Sequence, residues 1–134
     1  MVEGTSRPAL RVLGRAPANS QYGGRFSGRV ELAMLEEATA QSRPDVARVS
    51  FYDGAVTNWH THPGGQLLLV LDGAGRIGNE YEAHVDLAPG TFVSSDPGDR
   101  HWHGAAKGSS CVWLTITWGA TRWEDANPDN AVGT

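Results

Sequence analysis

Residues 54–73 read Gly54-Ala55-Val56-Thr57-Asn58-Trp59-His60-Thr61-His62-Pro63-Gly64-Gly65-Gln66-Leu67-Leu68-Leu69-Val70-Leu71-Asp72-Gly73. His60 and His62 stand two residues apart. On a strand, residues i and i+2 point to the same face, so both imidazoles can reach one ion. Pro63-Gly64-Gly65 is a turn signal, and a bend there brings the side chain of Gln66 back to the same point. The aliphatic run Gln66–Leu71 reads as a strand, closed by the Asp72-Gly73 turn.

The arrangement returns further along the chain. His101-Trp102-His103 repeats the i, i+2 pair beside the turn Asp96-Pro97-Gly98-Asp99. A single His-x-His on a strand is more often a packing feature than a ligand pair. Two such pairs, each next to a Gly/Pro turn, shift the balance to a metal site. His84 stands outside both pairs, between Glu82 and Asp86, and reads as an exposed structural histidine. Gln66 alone would read as an ordinary polar strand residue, and Thr57 as a strand-edge threonine.

The rest of the chain supports an all-β fold. Val46–Tyr52 is strand-like and ends at Asp53-Gly54. Arg76-Ile77, Glu82–Leu87 and Thr91–Ser94 are short candidates separated by Gly78-Asn79 and Pro89-Gly90. Cys111–Trp118 alternates. Val112, Leu114, Ile116 and Trp118 form a face read as core or subunit interface. Cys111, Trp113, Thr115 and Thr117 form a mixed face that suits a pocket. Turn signals every 8–12 residues imply a sandwich or barrel. Val30–Leu35 is strand or short helix, since a brief apolar run has no decisive period. Residues 1–24 read as an N-terminal arm with one short strand at Leu10–Leu13, 25–124 as the domain, and 125–134 as a polar tail that frays.

Composition narrows the class. The chain has 134 residues and a net charge of −4, with 17 Gly and 7 Pro. One domain is expected, turn-rich rather than helical. A phosphate-binding surface would be basic, so nucleic acid is not the expected partner. The negative charge gains nothing at an anionic lipid surface, and no apolar run approaches the roughly 20 residues of a membrane helix. Cys111 is the single cysteine, which leaves no internal disulfide framework. With no apolar segment at the start of the sequence, a cytoplasmic protein is the expectation.

The spacing of the two motifs resembles that of the cupin superfamily. The first motif runs Gly54, five residues, His60-Thr61-His62, three residues, Gln66, six residues, Gly73. The family has Glu where this chain has Gln66. The second runs Gly90, five residues, Asp96-Pro97-Gly98, two residues, His101, with Asp96 in place of Pro and Ala105 in place of Asn. The resemblance covers about residues 46–118. It implies a small antiparallel β-barrel of jelly-roll type with a metal in its mouth, and a homodimer. Its ligand positions fall on His60, His62, Gln66 and His101. His103 is an addition, read either as a fifth ligand or as a near-site residue, such as a base beside the metal.

Gln in place of Glu makes the donor set neutral, so the ion keeps its full charge and favours an anionic oxygen. Nitrogen and amide-oxygen donors suit Zn, Ni, Fe, Mn or Co alike, and the resemblance to cupins with a zinc site makes zinc the first choice. A small organic substrate would meet the aromatic and polar residues Tyr52, Trp113 and Thr115, while Thr57 and His103 would serve catalysis. Arg100 and Lys107 read as solvated. The set of four histidines and one glutamine resembles cupin polyketide cyclases that form aromatic rings in antibiotic biosynthesis, which is the first functional expectation. The segments Trp59–Pro63 and His101–Ala106 also resemble cupin hydroxynitrile lyases, in which a last-strand histidine stands where this chain has Trp113. A quercetinase-like dioxygenase and a non-catalytic binding module are the remaining alternatives.

Overall fold

The computed structural model describes residues 8–18, 25–38, 42–82 and 84–129. Residues 1–7 and 19–24 of the expected arm and 130–134 of the tail lie outside them. The described residues form ten strands, numbered here in chain order: β1 Val30–Glu36, β2 Asp45–Phe51, β3 His60–Thr61, β4 Gln66–Gly73, β5 Gly75–Asn79, β6 Val85–Leu87, β7 Phe92–Ser95, β8 His101–Ala105, β9 Cys111–Thr117 and β10 Arg122–Trp123. One sheet has the order β1-β2-β9-β4-β7, the other β10-β3-β8-β5-β6. All pairings are antiparallel. No helix of the described residues is long and apolar enough to cross a membrane.

The core lies between the sheets. β2 turns Ala47, Val49 and Phe51 inward, and β4 turns Leu68 and Val70 inward. β9 sits between them and must present the same face. Cys111, Trp113, Thr115 and Thr117 are therefore the buried set, while Val112, Leu114 and Ile116 are half-buried on the outside. Of the two readings of the aliphatic face, core or subunit interface, core does not hold: that face is the outer one. What draws Trp113 inward is a partner in the opposite sheet: its Nε1–H donates to the carbonyl of Gly104 at 2.9 Å. Burying a ring of this size contributes roughly 2–3 kcal/mol.

Several element limits differ from the reading of the sequence. Residues 8–18 form no strand, and Leu10 and Val12 are exposed. Val30–Glu36 resolves as a strand at the edge of the first sheet. Glu82–Leu87 shortens to Val85–Leu87 because the side chain of Asn79 accepts from Tyr81 N and Glu82 N, holding the chain in a turn. The tail is anchored as far as Asp129. Asn127 is buried and donates to Thr57 O and Asn58 Oδ1, and Asp129 pairs with the buried Arg76 at 2.8 Å.

Segment 54–58 runs beside β8 and stitches the sheets together. Thr57 N donates to His103 O at 2.8 Å, and Ala105 N to Ala55 O at 2.9 Å. Gly104 is what allows this approach. A methyl group there would meet the carbonyl of Ala55 and lie 2.6 Å from Val56 Cα, both backbone atoms that cannot swing aside. Gly104→Ala should therefore lower stability by about 2–3 kcal/mol, read as a lowered urea midpoint. An unchanged midpoint would contradict the packing described.

Candidate metal centre

β3 and β8 are direct neighbours, with His60 opposite His101. The i, i+2 rule then places His62 and His103 on the same inward side. The ring centroids of His60 lie 4.8 Å from His62, 4.6 Å from His101 and 5.6 Å from His103. All four are buried, as is Gln66 at the start of β4. His60, His101 and His103 each offer a ring nitrogen within 4.8 Å of the others. Two ligands about 2.1 Å from one ion stand at most about 4.2 Å apart, so the rings would draw slightly closer to share one. His62 stands beside this trio.

The outer hydrogen bonds settle which nitrogens point inward. His60 Nδ1 donates to the carbonyl of Asn58 at 2.8 Å, leaving a lone pair on Nε2. Ser95 Oγ donates its proton to Asp99 Oδ2 at 2.9 Å, so it must accept from His101 Nδ1–H, also at 2.9 Å. The neutral ring of His101 then directs the Nε2 lone pair at Gln66 Oε1, 3.0 Å away. The Gln66 amide group donates to Thr117 Oγ1 at 2.9 Å, which holds its oxygen toward His101. Two acceptors thus face each other in a buried place. In addition, His62 Nε2 and His103 Nδ1 are buried without a well-formed hydrogen bond. Unpaired lone pairs of this kind are costly without a cation. The donor set therefore fits a divalent ion, with imidazole nitrogen and amide oxygen as its ligands.

Burial also keeps these rings neutral. It is the main cause that pushes His60 down to about 4 and His62 to about 3, the latter aided by the neighbouring His60. His101 and His103 are pushed well below the ordinary histidine value, by burial first and then by the other rings.

The remaining expected residues divide. Thr57 is buried, accepts from His103 N at 3.1 Å and lines the cavity above the cluster. Thr115 lines it too. Trp113 lies behind His103, ring centroids 5.3 Å apart, as a wall rather than a lining residue. Tyr52 does not line the cavity. Its hydroxyl donates to Glu31 at 3.0 Å under the guanidinium of Arg29, because it lies one residue past Phe51, on the other face of β2. His84 is exposed, with its ring 6.0 Å from Trp102. Arg100 is not simply solvated: it grips Glu124 with two hydrogen bonds and covers Trp59.

Two residues missed by the sequence reading come from the segment after β9. Thr121 Oγ1 is 3.0 Å from His62 Nδ1. Trp123 pairs with His60 across β10 and β3 and holds its ring 4.7 Å from that imidazole. The signal was faint: Trp123 is one of five tryptophans, in a stretch otherwise read as leading into a tail. The cavity enclosed is about 110 Å³, partly open to solvent, with Phe26, Leu32, Met34 and Val49 among its apolar walls.

Comparison with known proteins agrees with this fold. A cupin domain model matches residues 47–117. The chain is 39% identical to an (R)-mandelonitrile lyase of Granulicella tundricola over 110 residues, 82% of this chain and 80% of that protein. A cupin-like protein from Thermotoga maritima superposes with a TM-score of 0.72 at 31% identity, covering 87% of this chain and 90% of that one. The polyketide cyclase RemF from Streptomyces resistomycificus gives a TM-score of 0.69 at 15% identity, over 87% and 85% of the two chains.

Neutral buried imidazoles make stability depend on pH. The unfolded chain takes up protons near pH 6.5 and the folded one only near 4 or below, so stability is complete above 6.5 and is lost as pH falls. Each ring contributes a slope of up to about 1.4 kcal/mol per pH unit in that window. Urea unfolding of the chelator-treated protein should weaken steeply from pH 6.5 to 4.5. A flat profile there would contradict the buried neutral cluster.

Proposed function

The chain belongs to the cupin family, and on that premise we propose that it is a metal-dependent lyase that releases a small aldehyde from its hydroxynitrile. The observation that carries this reading is the size and lining of the cavity above the histidines. At about 110 Å³ with apolar walls, it is of the order of the roughly 150 Å³ cavity that accepts a benzene ring. The identity to a mandelonitrile lyase over most of both chains supports the same class. The cyclase expectation ranks second: the likeness to RemF, at 15% identity, is one of fold, whereas the identity to the mandelonitrile lyase is 39%.

In the proposed reaction the substrate hydroxyl loses its proton, the carbonyl π bond forms, and the carbon–carbon pair leaves with cyanide, which takes up the proton. His60, Gln66 and His101 would hold the ion together with His62 at the family's ligand position. His103, whose ring nitrogen also lies within 4.8 Å of those of His60 and His101, would take the proton-transfer role, which the metal content of His103→Ala separates from a ligand's. When bound, a divalent metal, zinc as first choice, supplies Lewis acidity toward the substrate oxygen and the charge that forms on it. Thr57 Oγ1 accepts from His103 N and keeps its own proton for the substrate oxygen. His103 is neutral because burial disfavours its charged form, so it would pass the hydroxyl proton on to the departing cyanide rather than store it. Trp113 and Phe51 flank its ring and hold it in place. Two copies would pair through the aliphatic outer face of β9.

Metal analysis and mandelonitrile cleavage test the assignment together. His101→Ala should lose the metal. His103→Ala should keep about one equivalent per chain while kcat/KM falls about 10²–10⁴-fold. His84→Ala should change neither. Loss of metal in His103→Ala would make that residue a ligand, and a metal-loaded protein without cleavage activity would end the lyase reading.

A further inference from the structure

Among the described residues, the cavity carries one charged side chain whose position no motif explains. Asp45, Ala47, Val49 and Phe51 share the inward face of β2. Their burial deepens along it, from half-buried at Asp45 to 5%, 4% and 0% exposed. Asp45 therefore sits at the rim, and it lines the same cavity as His60, His62 and His103. Register places it in line with the site. Thr117 of β9 pairs with Asp45 on one side and Gln66 on the other. With neighbouring strands about 4.8 Å apart, the Cα atoms of Asp45 and Gln66 are roughly 10 Å apart.

The charge is uncompensated within the cavity. One oxygen of Asp45 accepts from Ala38 N, but no ion pair engages it among the described residues. Among the described residues no lysine or arginine lines the cavity. Arg25 covers the ring of Trp123 at 5.5 Å, but it is exposed, where solvent and salt screen it. The chain as a whole is negative. A carboxylate at the rim of an apolar, partly enclosed space acts through less solvent than one on an open surface, so its repulsion is felt by any anion that enters.

We propose that Asp45 is a specificity-determining residue: its carboxylate leaves uncharged aldehydes and their hydroxynitriles free to bind and disfavours carboxylate-bearing analogues. This names the substrate class within the carbonyl reading above and rests on it. The neutral donor set gives the selection its purpose. A metal whose ligands carry no charge attracts anionic oxygen, so a carboxylate from solution would compete with the oxygen of a neutral substrate. The rim carboxylate opposes entry of such an anion while leaving an alkoxide free to form inside.

Benzaldehyde and 4-formylbenzoate are suitable probes, since they share a ring and an aldehyde and differ in one charge. Equilibrium dialysis against the full-length, metal-loaded protein, repeated after chelation, reads their affinities without reference to turnover. With like charges about 8 Å apart at an intermediate dielectric, removal of the Asp45 charge should strengthen 4-formylbenzoate binding roughly tenfold. Benzaldehyde should stay within about twofold. Asp45→Asn keeps an acceptor for Ala38 N, and Asp45→Ser is a second neutral variant should the first fold poorly. The same gain in both variants, before and after chelation, supports the charge filter. An unchanged ratio of the two affinities, or equal changes for both probes, overturns it. Failure to cleave mandelonitrile would remove the lyase reading and leave this binding comparison standing.

Discussion

Four imidazoles and an amide oxygen converge on one buried point, and their lone pairs repel one another there. Each ring is too deeply buried to hold a proton charge readily, so the conflict cannot be relieved by ionisation near neutral pH. It is contained by hydrogen bonds on the outside. Asn58 O, Ser95 Oγ and Thr121 Oγ1 each meet the outer nitrogen of a different histidine. These three partners come from the segment before β3, from the end of β7 and from the approach to β10. The cluster can therefore form only once distant parts of the chain are in place, and the rest of the barrel serves that requirement.

The two sheets divide the task. The sheet built on β3 and β8 supplies all four histidines. The sheet built on β2, β9 and β4 supplies Gln66, its partner Thr117 and most of the apolar wall. The segment after β9 closes the remaining side with Thr121 and Trp123. Its fixation is not left to two-residue β10: Arg76, 2% exposed, donates to Ala105 O and to both oxygens of Asp129. A guanidinium buried this far needs those acceptors, since an uncompensated buried charge costs several kcal/mol. The last described residues are thus tied to the floor of the barrel, and the wall against His60 and His62 is held with them.

The histidine pairs, the intervening turn and Gln66 were legible because period 2 and a turn signal are local properties. The pairing of His60 with His101 was not, since sequence spacing alone does not say which distant strands become neighbours; the resemblance to a family carried that step. The alternation of β9 was equally plain, but alternation shows only that two faces exist. Which one turns inward is decided by the neighbours: Phe51 and Val49 on one side, Val70 and Leu68 on the other. The aliphatic triplet reads as core or subunit interface, and it is not core. Tyr52 failed for the same reason, one residue out of phase with the inward face. Thr121 and Trp123 were missed because their contacts depend on a tail whose polar composition suggests fraying, whereas Asn127 and Asp129 are polar so as to bind buried backbone and a buried arginine.

Charge placement joins these observations into a functional argument. Histidine and glutamine ligands do not offset the charge of an ion, so whatever oxygen reaches it can develop negative charge at low cost. An acidic first ligand would weaken that effect. Here a carboxylate is present instead at the rim, two strands from Gln66 and outside hydrogen-bond range of the histidines. A carboxylate among the ligands would act on the reacting oxygen, whereas one at the rim would act on what enters. On the proposed ligand set, separating the two would let the same small apolar chamber stabilise an anion formed within it and discriminate against anions arriving from outside. That combination suits a reaction whose substrate and product are neutral and whose intermediate charge is brief.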